Sequence, residues 1–378
     1  MKILFNCLVN VKGGAIQNAA NFVAHALNDS SNQFQFLISP QVMAVLDGWG
    51  VSDPAIHVLD HPLKSKSVRV SIAAIEREFC PDVVYSMAGP TYFRFSSPHV
   101  LGISDGFITH ATRDIFFKGR SLTDGAVFYL KTLLKRLYSR FEGDYFIFQT
   151  DSARKGYCSS LCVPAKKSAV VANAIGKSFL AGFQGKGSVI SSDVVRILCP
   201  AADYPHKNLD LLFPVCDLLS EGGAGGGDVQ VRFVVTVDKR SGLARRIEQT
   251  DFSSMSADIV NIGPYSYDSA PEIYRESEIV FMPTLLETFS TSYLEALAAK
   301  KVLLCSDRDF ARDVCEDAAY YFDPNSPEDA VNVIHGVLEG RYAFDESKAE
   351  RVINKYGDFS IRYFNLLDTI RGFLGKGD

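Results

Sequence analysis

Two glutamates flank a run of hydroxyl residues in the second half of the chain. Glu287 and Glu295 have seven residues between them, and Ser290 to Ser292 lie in that interval. The apolar run Glu278 to Met282 predicts a buried strand that ends at Pro283, and the hydroxyl residues predict the start and the cap of a helix. Unpaired N–H groups at such a helix start attract a diphosphate, and nearby carboxylates accept hydrogen bonds from sugar hydroxyls. Two solvated acids that stabilise a helix start would show the same pattern, so the residues alone leave both interpretations open.

Short apolar runs alternate with amphipathic stretches along the chain, which predicts parallel sheets covered by helices on both faces. The predicted strands fall into two sets. The first set is Lys2 to Val9, Phe34 to Ile38, Asp82 to Tyr85, Tyr145 to Phe148 and Ala169 to Val171. The second set is Val194 to Cys199, Val229 to Val237, Ile259 to Ile262, Glu278 to Met282 and Val302 to Cys305. Helices are predicted between the strands, for example Gln17 to Leu27 and Ser292 to Ala299.

A segment rich in Gly and Ser separates the two sets of strands. This segment, Gly182 to Asp193, shows no periodicity and is interpreted as a linker between domains 1–182 and 194–358. A second Gly-rich segment, Glu221 to Asp228, is interpreted as a surface loop inside the second domain. Ligands of doubly wound sheets bind at the carboxyl ends of the strands, and a cleft between two domains is a favoured place for a small-molecule site.

The composition is that of an ordinary soluble chain of 378 residues, with 47% hydrophobic and 22% charged residues. The formal net charge of -5 gives no general attraction to nucleic acid. The first residues lack the features of a signal peptide, and no apolar run is long enough to span a membrane, so a cytoplasmic location is predicted. Of the eight cysteines, only Cys158 and Cys162 are close together, and no His lies near them. We therefore predict reduced thiols and no zinc site.

The segment around Glu287 and Glu295 resembles the E-x7-E signature of glycosyltransferase family 4, a retaining family. The resemblance implies the GT-B fold, an α/β architecture of two Rossmann-like domains that face an interdomain cleft. It covers essentially the whole chain and is strongest after residue 165. Further stretches match the family in the expected order: Val170 to Ala174, Tyr204 to Leu209, Asn261 to Tyr265 and Ala318 to Pro324. In relatives the last helix crosses back to the first domain, which would place residues 360–374 there.

The resemblance implies roles for the matched residues. Glu295 would bind the ribose hydroxyls of a nucleotide-sugar donor, and Glu287 would contact the donor sugar near its reacting end. Backbone N–H groups of Phe289, Ser290 and Thr291 would hold the sugar or phosphate. The ammonium group of Lys207 would neutralise the diphosphate leaving group as charge develops on it.

Glycines and a tyrosine complete the implied donor site. Gly263 and Tyr265 belong to the turn beside the base. Gly13 and Gly14 follow the first strand and precede a helix, where glycine lets the backbone approach a ligand closely. A tight strand-to-helix turn without any ligand also favours glycine at these two positions.

The chain departs from the family pattern at three positions. Thr288 and Ser290 stand where the family has glycines around the first acid, and a residue with a side chain hinders close approach of the backbone to a ligand. Ala202 stands where the family often has an Arg, so one phosphate cation is missing. The alternatives for that cation are three arginines of a later segment: Arg240, Arg245 and Arg246. A solvated basic helix face explains the same arginines equally well.

In the first domain, the resemblance does not single out one residue for the catalytic side of the site. Many relatives have a His after a middle strand, and the corresponding stretch here contains Asp105 and His110. Either residue would contact the sugar or act as a general base on the acceptor hydroxyl. A surface position on a helix is an equal alternative for His110.

The segment Phe116 to Phe141 mixes cations with apolar residues, and from Phe128 onward the apolar residues recur at helical spacing with cations between them. Such a helix can lie on an anionic membrane surface, which would place the protein at the inner face of the membrane. The simpler alternative is a helix whose apolar side packs on the first sheet and whose basic side faces solvent. Lipid-linked acceptors are common in the resembled family.

The resemblance implies transfer of a sugar from a nucleotide diphosphate to a hydroxyl acceptor, with retention of the anomeric configuration. The acceptor would be a cell-surface glycan or a lipid-linked intermediate. No metal or other cofactor is predicted, because Lys207 and backbone amides would neutralise the phosphates, and Asp307 to Asp309 is interpreted as a solvated loop. Two alternatives remain: a nucleotide-sugar epimerase on the same fold, and a non-catalytic protein that binds a nucleotide sugar.

Overall fold

The computed structural model describes residues 1–182, 193–222 and 229–375. These residues form two compact units. The first unit comprises Met1–Phe117, Ser121–Ala174 and the residues from Asp358 onward. The second comprises Lys118–Arg120 and Ile175–Gly357. The two predicted Gly-rich segments, Gly182 to Asp193 and Glu221 to Asp228, lie mostly outside the described residues.

The first unit is built on a parallel sheet in the order β3-β2-β1-β4-β5-β6-β7. Its strands are β1 (Lys2–Cys7), β2 (Gln33–Ile38), β3 (Ile56–Val58), β4 (Val83–Ser86), β5 (His99–Ile103), β6 (Tyr145–Phe148) and β7 (Ser168–Val170). The central strands are apolar and almost wholly buried, as expected where helices cover both faces of a parallel sheet.

The second unit has its own parallel sheet, in the order β10-β9-β8-β11-β12-β13. Its strands are β8 (Val194–Cys199), β9 (Gln230–Val235), β10 (Ala257–Asn261), β11 (Ile279–Met282), β12 (Val302–Ser306) and β13 (Tyr320–Phe322). The prediction of two Rossmann-like α/β units is confirmed. Sequence patterns missed β3, β5 and β13, although Ala318 to Pro324, which contains β13, was among the stretches that resemble the family. The prediction placed the other ten strands within a few residues.

Helices connect the strands in both units. Those before β8 are α1 (Gly14–Ala26), α2 (Pro40–Gly48), α3 (Lys66–Phe79), α4 (Gly106–Thr109), α5 (Arg113–Phe117), α6 (Leu122–Glu142), α7 (Asp151–Leu161) and α8 (Lys177–Gly182). Those after β8 are α9 (Leu212–Gly222), α10 (Gly242–Gln249), α11 (Ala270–Arg275), α12 (Thr291–Ala298), α13 (Asp309–Cys315), α14 (Pro327–Leu338), α15 (Glu346–Tyr356) and α16 (Phe359–Leu374).

Each sheet has a point where the strand order reverses. In the first unit β1 pairs with both β2 and β4, and in the second unit β8 pairs with both β9 and β11. The connections that leave two such neighbouring strands run to opposite faces of the sheet, which opens a crevice at their carboxyl ends. The loops after β1 and β4, and those after β8 and β11, are therefore the places to look for ligand-binding residues.

Helix α16 packs on the first unit, although it follows the second unit in the sequence. Leu366, Leu367 and Ile370 are buried in the core that also contains β1 and α1. The Tyr363 hydroxyl donates to Asp29 at 2.7 Å, and the Arg362 Nε donates to the Ala172 carbonyl at 3.1 Å. The division between units falls after Ala174, earlier than residue 182, because α8 packs against α11 and α12.

Helix α6 differs from the simpler sequence interpretation, in which its apolar side packs on the sheet. Its buried residues are mostly small or polar, and most of its large apolar residues face solvent. The helix instead packs against α4 and α5. No helix within the described ranges is both long and apolar enough to cross a membrane.

Candidate functional site

The loops after β8 and β11 meet at the reversal point of the second sheet. The loop after β8 contains a single helical turn, Pro205–Lys207. The backbone N–H of Leu285, in the loop after β11, donates to the carbonyl oxygen of His206 at 2.8 Å. This bond holds the two loops side by side at the carboxyl ends of their strands.

The two loops present charges of opposite sign to each other. The Lys207 ammonium group forms an ion pair with the Glu287 carboxylate, and both side chains are mostly but not fully buried. Two charges that are partly removed from water attract each other more strongly than an exposed pair. The structure therefore brings together one predicted cation for the donor phosphates and one predicted sugar-binding acid.

The turn that carries Lys207 is held in place by the next residue. Asn208 is buried and adopts a left-handed conformation with φ of 56°. Its Nδ2 donates to the carbonyl oxygen of Pro324 at 2.9 Å. Asn tolerates the left-handed region better than most residues, which explains why Asn can follow Lys207 here.

Helix α12 begins next to Glu287, as predicted, but its cap differs from the prediction. Ser290 is the N-cap residue, and its side chain makes no capping hydrogen bond. Its backbone is extended, with φ of −96°, and Thr288 is not among the residues with positive φ. The side chains that replace the family's glycines therefore cause no backbone strain. The Phe289 ring packs edge-on against Tyr356, with the ring centroids 5.2 Å apart.

The second acid, Glu295, lies on α12 and is only 8% exposed. The Tyr274 hydroxyl donates to its Oε2 at 2.9 Å, and the hydroxyls of Thr291 and Ser292 also bond to its carboxylate. Burial raises the pKa of Glu295 above its usual value, and these three hydrogen bonds offset part of that rise. Two of the three hydroxyl residues predicted to cap α12 thus bond to Glu295.

The turn after β10 lies on the same side of the second unit as Glu295. Gly263 has φ of 81°, and its N–H donates to the Asn261 side chain at 3.0 Å. The half-buried Tyr265 bonds to Tyr274 and is close enough to Glu295 for that carboxylate to raise its pKa, after the larger effect of burial. Two tyrosines and Glu295 thus form one connected group.

The three arginines proposed as a replacement cation have other partners. Arg246 stacks on Phe213 with its guanidinium 3.7 Å from the ring centroid and bonds Asp210 at 2.8 Å. Arg245 donates to the Arg240 carbonyl at 3.1 Å, and the Arg240 Nε lies 3.6 Å from Asp238. The three residues lie on the surface, Arg240 before α10 and Arg245 and Arg246 within it, as the alternative interpretation of a basic helix face expects.

A different cation lies near the predicted base-binding turn. The Lys239 Cε is 3.9 Å from the point where a Cβ on Gly263 would lie. Lys239 follows β9, which is the direct neighbour of β8 in the sheet. No sequence pattern indicates this proximity, because Lys239 and Gly263 lie on loops that follow different strands.

The Asp307 to Asp309 loop is engaged in an ion pair. Arg312 donates to both carboxylate oxygens of Asp307, at 2.5 and 2.8 Å. This bidentate pair lowers the pKa of Asp307. Within the described ranges, no group of three or more His, Cys, Asp or Glu side chains is arranged to hold a metal ion.

In the first unit, Gly13 and Gly14 lie at the reversal point after β1. Gly13 is the N-cap of α1 with φ of 56° and ψ of −148°, a conformation that essentially only glycine adopts. A Cβ added at either glycine would have nothing within 4 Å. The positive φ, rather than lack of space, is what requires glycine at position 13.

Asp105 and His110 flank the short helix α4 after β5. The Asp105 Oδ1 accepts a hydrogen bond from the Phe107 N–H at 2.9 Å and so caps the helix start. His110 ends the helix, its Nδ1 lies 2.8 Å from the Thr109 Oγ1, and its Cβ packs against Gly156 of α7. In the sheet β4 lies between β5 and β1, so these two residues are one strand removed from Gly13 and Gly14.

Two residues of the site were missed at the level of sequence. Tyr274 is the hydroxyl donor to Glu295, and Lys239 lies beside Gly263. Tyr274 belongs to the short helix α11, where an aromatic residue predicts only core packing. No sequence signal distinguishes a core tyrosine from one that orients a ligand-binding acid.

Comparison with known proteins adds a family match over part of the chain and a fold match over all of it. Residues 185–357 match the family model described as glycosyl transferases group 1. A search of the curated proteins finds no match.

Solved structures match the whole chain at low sequence identity. A glycosyltransferase from Rickettsia africae ESF-5 is 14% identical with a TM-score of 0.71, and the match covers 100% of this chain and 99% of that one. HepE from Anabaena, in complex with UDP-glucose, is 13% identical with a TM-score of 0.70 and coverage of 98% and 99%. A trehalose-6-phosphate synthase, studied for glycosyl transfer with retention, is 12% identical with a TM-score of 0.66 and coverage of 98% and 99%. The predicted GT-B fold class is confirmed.

Proposed function

We propose that this chain, as a glycosyltransferase with the GT-B fold, transfers a sugar from a nucleoside-diphosphate donor to a hydroxyl acceptor. The transfer would retain the anomeric configuration of the sugar. The donor is held by the second unit. The acceptor is a glycan or a lipid-linked sugar. The eight cysteines are free thiols, which suits a cytoplasmic enzyme.

One observation carries the proposal: Lys207 and Glu287 form an ion pair at the strand-order reversal of the second sheet. A reversal point is where doubly wound sheets bind nucleotides. An ammonium group held there is suited to a diphosphate, whose charge grows as the bond to the sugar breaks. A bound diphosphate would compete with Glu287 for Lys207 and leave the carboxylate to accept hydrogen bonds from the sugar.

Glu295 supplies the second half of the donor site. A carboxylate can accept two hydrogen bonds from the two hydroxyls of a ribose. The Tyr274 hydroxyl and the hydroxyls on the first turn of α12 already bond to Glu295 and fix its direction. An acid that is oriented before the ligand arrives loses less entropy on binding.

The backbone at the start of α12 is the proposed contact for the donor sugar or its phosphates. The first N–H groups of a helix have no partner within the helix and carry partial positive charge. Phe289, Ser290 and Thr291 form this start, and the Phe289 side chain packs on Tyr356. The backbone at this helix start is thus anchored by a side chain that points into the protein.

The first donor to test is UDP-glucose, because HepE of the same fold was solved with that molecule. The proposal of retention is supported by the family 4 resemblance and by a synthase of the same fold that transfers with retention. Glu287 and Glu295 are assigned to binding, so no covalent glycosyl-enzyme intermediate is proposed.

On the acceptor side, Asp105 and His110 are the proposed candidates for contact with the acceptor hydroxyl or the donor sugar. Asp105 caps the start of α4 through its Oδ1 and so lies at the end of β5 that faces this loop region. The His110 ring is oriented through its Nδ1 by Thr109. Gly13 and Gly14 leave open space above the loop after β1.

A thermal-shift screen with nucleotide sugars tests the proposal. UDP-glucose or another nucleotide sugar at 100 times its Kd should stabilise the protein by about 2.7 kcal/mol. Glu295→Ala should abolish the shift, whereas Glu316→Ala, which removes a surface ion pair of the same unit, should leave it intact. No shift with any nucleoside diphosphate or nucleotide sugar would refute donor binding.

Product analysis then separates the three functions that the sequence left open. A transferase releases nucleoside diphosphate together with a glycosylated acceptor, or together with free sugar when water is the acceptor. An epimerase converts the donor without an acceptor, and a non-catalytic binder leaves the donor unchanged.

A further inference from the structure

Helix α6 buries the side that a soluble helix normally exposes. Gly125, Thr132 and Ser139 lie on its buried side, with Thr132 only 4% exposed. The opposite side carries five large apolar residues that we call the leucine face: Val127, Leu130, Leu134, Leu137 and Phe141. Leu134 is 59% exposed and Phe141 is 73% exposed. Large apolar side chains normally cluster on the buried side of an amphipathic helix, so this arrangement is inverted.

The leucine face is a continuous stripe along the helix. Its members follow one another at intervals of three, four, three and four residues, so they lie on one side over about four turns. An apolar stripe of this length on a solvent-exposed helix marks a surface that binds something. Scattered single apolar residues on a surface would need no such explanation.

The orientation of α6 is fixed by contacts on its other side. The Ser139 hydroxyl lies 2.9 Å from the Tyr157 hydroxyl of α7. The Arg136 Nη2 donates to the carbonyl oxygens of Thr109 and Gly156, at 2.7 and 3.0 Å. A Cβ on Gly125 would overlap the ring of Phe117. Turning the helix to bury the leucine face would break all of these contacts.

Cations border the leucine face. At 100° per residue, Lys131 and Lys135 lie along one side of the stripe and Arg140 along the other. Both lysines are exposed. The acids of the helix lie apart: Asp124 is in its first turn, where it bonds Ser121, and Glu142 is buried at its end. The surface of the helix is therefore basic in a chain whose net charge is -5.

We propose that α6 is a membrane-binding helix that lies in the plane of an anionic lipid surface, with the leucine face inserted among the acyl chains and Lys131, Lys135 and Arg140 at the phosphates. An apolar stripe bordered by cations is the pattern by which helices bind such interfaces. Long basic side chains reach from the helix flanks to the headgroups.

The charges argue against the other obvious occupant, a second copy of α6. Pairing of two copies along the leucine face would place Lys131 and Arg140 at the flanks of both helices. Positions beside a helix pair's apolar seam favour opposite charges across the pair, and here the flanking charges are of one sign. Anionic headgroups would neutralise these cations instead of opposing them.

The membrane contact would also locate the acceptor side of the enzyme. Arg136 ties α6 to the end of α4, the helix bounded by Asp105 and His110. A lipid-linked acceptor would then reach these residues from the bilayer to which α6 is bound. This consequence rests on the proposed function, whereas the membrane contact itself does not.

Vesicle flotation with the full chain and no donor tests the proposal. The protein should float with vesicles of phosphatidylcholine and phosphatidylglycerol, and much less with phosphatidylcholine alone. The variant Leu130→Gln, Leu134→Gln, Leu137→Gln should bind at least about tenfold more weakly, because three apolar side chains leave the interface. Lys131→Gln with Lys135→Gln should weaken binding about fivefold for each lysine.

Leu122→Gln is the matched control, because Leu122 is on the same helix and 81% exposed but lies off the stripe. It should leave binding unchanged, and the thermal midpoints of all variants should show that they are folded. Absence of the wild-type chain from the floated fraction overturns the proposal, as does equal binding to both vesicle types. A dimer in solution that the triple variant dissociates, without any vesicle binding, would show that the face binds a second copy. Thermal shifts with nucleotide sugars test the proposed function separately, so a failure of donor binding can be distinguished from a failure of membrane binding.

Discussion

Lys207 and Glu287 are eighty residues apart in the sequence and form an ion pair in the structure. Each belongs to a loop that follows a strand, and the two strands, β8 and β11, are neighbours in the second sheet. Since all strands of that sheet are parallel, both loops emerge at one edge. The pairing is a direct result of the order in which the strands are connected.

Replacing Lys207 by Met should lower kcat by about two to three orders of magnitude, the usual effect of removing one group that stabilises developing negative charge. The KM for the donor should change less. Steady-state kinetics with UDP-glucose, or with the donor found in the screen, measure both. Lys207→Arg, which keeps the charge, should recover part of kcat. An unchanged kcat in Lys207→Met would remove Lys207 from the reaction.

Replacing Tyr274 by Phe should weaken binding of the nucleoside diphosphate about fivefold and leave kcat almost unchanged. The variant removes one hydrogen bond of about 1 kcal/mol that orients the Glu295 carboxylate. Isothermal titration with UDP measures the affinity. Tyr320→Phe is a suitable control, since its hydroxyl bonds the Ala343 carbonyl elsewhere in the same unit. Equal weakening by both variants would indicate a general loss of stability.

Donor binding should weaken in mild acid because of Glu295. Burial raises the pKa of this acid above 4.5, so on acidification it takes up a proton at a higher pH than an ordinary glutamate. A protonated Glu295 has fewer lone pairs to offer the ribose. Kd values for UDP measured from pH 8 down to pH 5 should rise at the acid end, and Glu295→Gln should bind weakly with no such rise. A wild-type Kd that stays constant over this range contradicts the assignment.

Glu142 should make the first unit less stable as the pH rises. Burial raises the pKa of its carboxyl to about 7, although the N–H groups of Thr91 and Phe93 donate to it. The folded state then holds a proton that the unfolded state has lost, so stability falls between about pH 4.5 and 7, by about 3 kcal/mol at most. Urea unfolding at pH 5 and pH 7.5 measures the difference.

Glu142→Gln should reduce the loss of stability that Glu142 causes as the pH rises, because Gln does not titrate. Nearby His99 acts in the opposite direction: burial lowers its pKa to about 4, so its contribution is lost as the pH falls below 6.5. If the free energy of unfolding rises from pH 5 to pH 7.5 by the same amount in the wild type and in Glu142→Gln, the pH dependence belongs to other groups.

Gly13→Ala should destabilise the protein by roughly 1–3 kcal/mol, since its φ of 56° with ψ of −148° is strained for any residue with a Cβ. Gly14→Ala is the control. It adds a methyl group to open space at the first residue of α1, where φ is not positive, and should be neutral or slightly stabilising. Thermal unfolding of the two variants, side by side, compares them directly. Equal midpoints would show that the loop after β1 relaxes around the substitution.

Much of the fold was predictable because its central strands are continuous apolar runs. Strand β5 was missed because His99 and Gly102 interrupt its apolar character. Both have a structural reason: the buried His99 bonds to Ser86, and a Cβ on Gly102 would lie 2.2 Å from the Met87 carbonyl oxygen. Local patterns do not contain these contacts with the neighbouring strand.

The candidate site was predictable where it depends on spacing and not where it depends on tertiary contacts. The interval between Glu287 and Glu295 is visible in the sequence, whereas the bond from Tyr274 to Glu295 requires α11 and α12 to pack together. The orientation of α6 was hidden for a different reason. A periodic pattern shows that apolar residues share one side of a helix, but not whether that side is buried.

The position of α16 has a consequence for synthesis. Its residues Leu366, Leu367 and Ile370 complete the core around β1, yet they leave the ribosome after the whole second unit. The core of the nascent first unit therefore remains incomplete until synthesis of the second unit is finished. Chaperones that bind exposed apolar surface should recognise the nascent chain until α16 emerges.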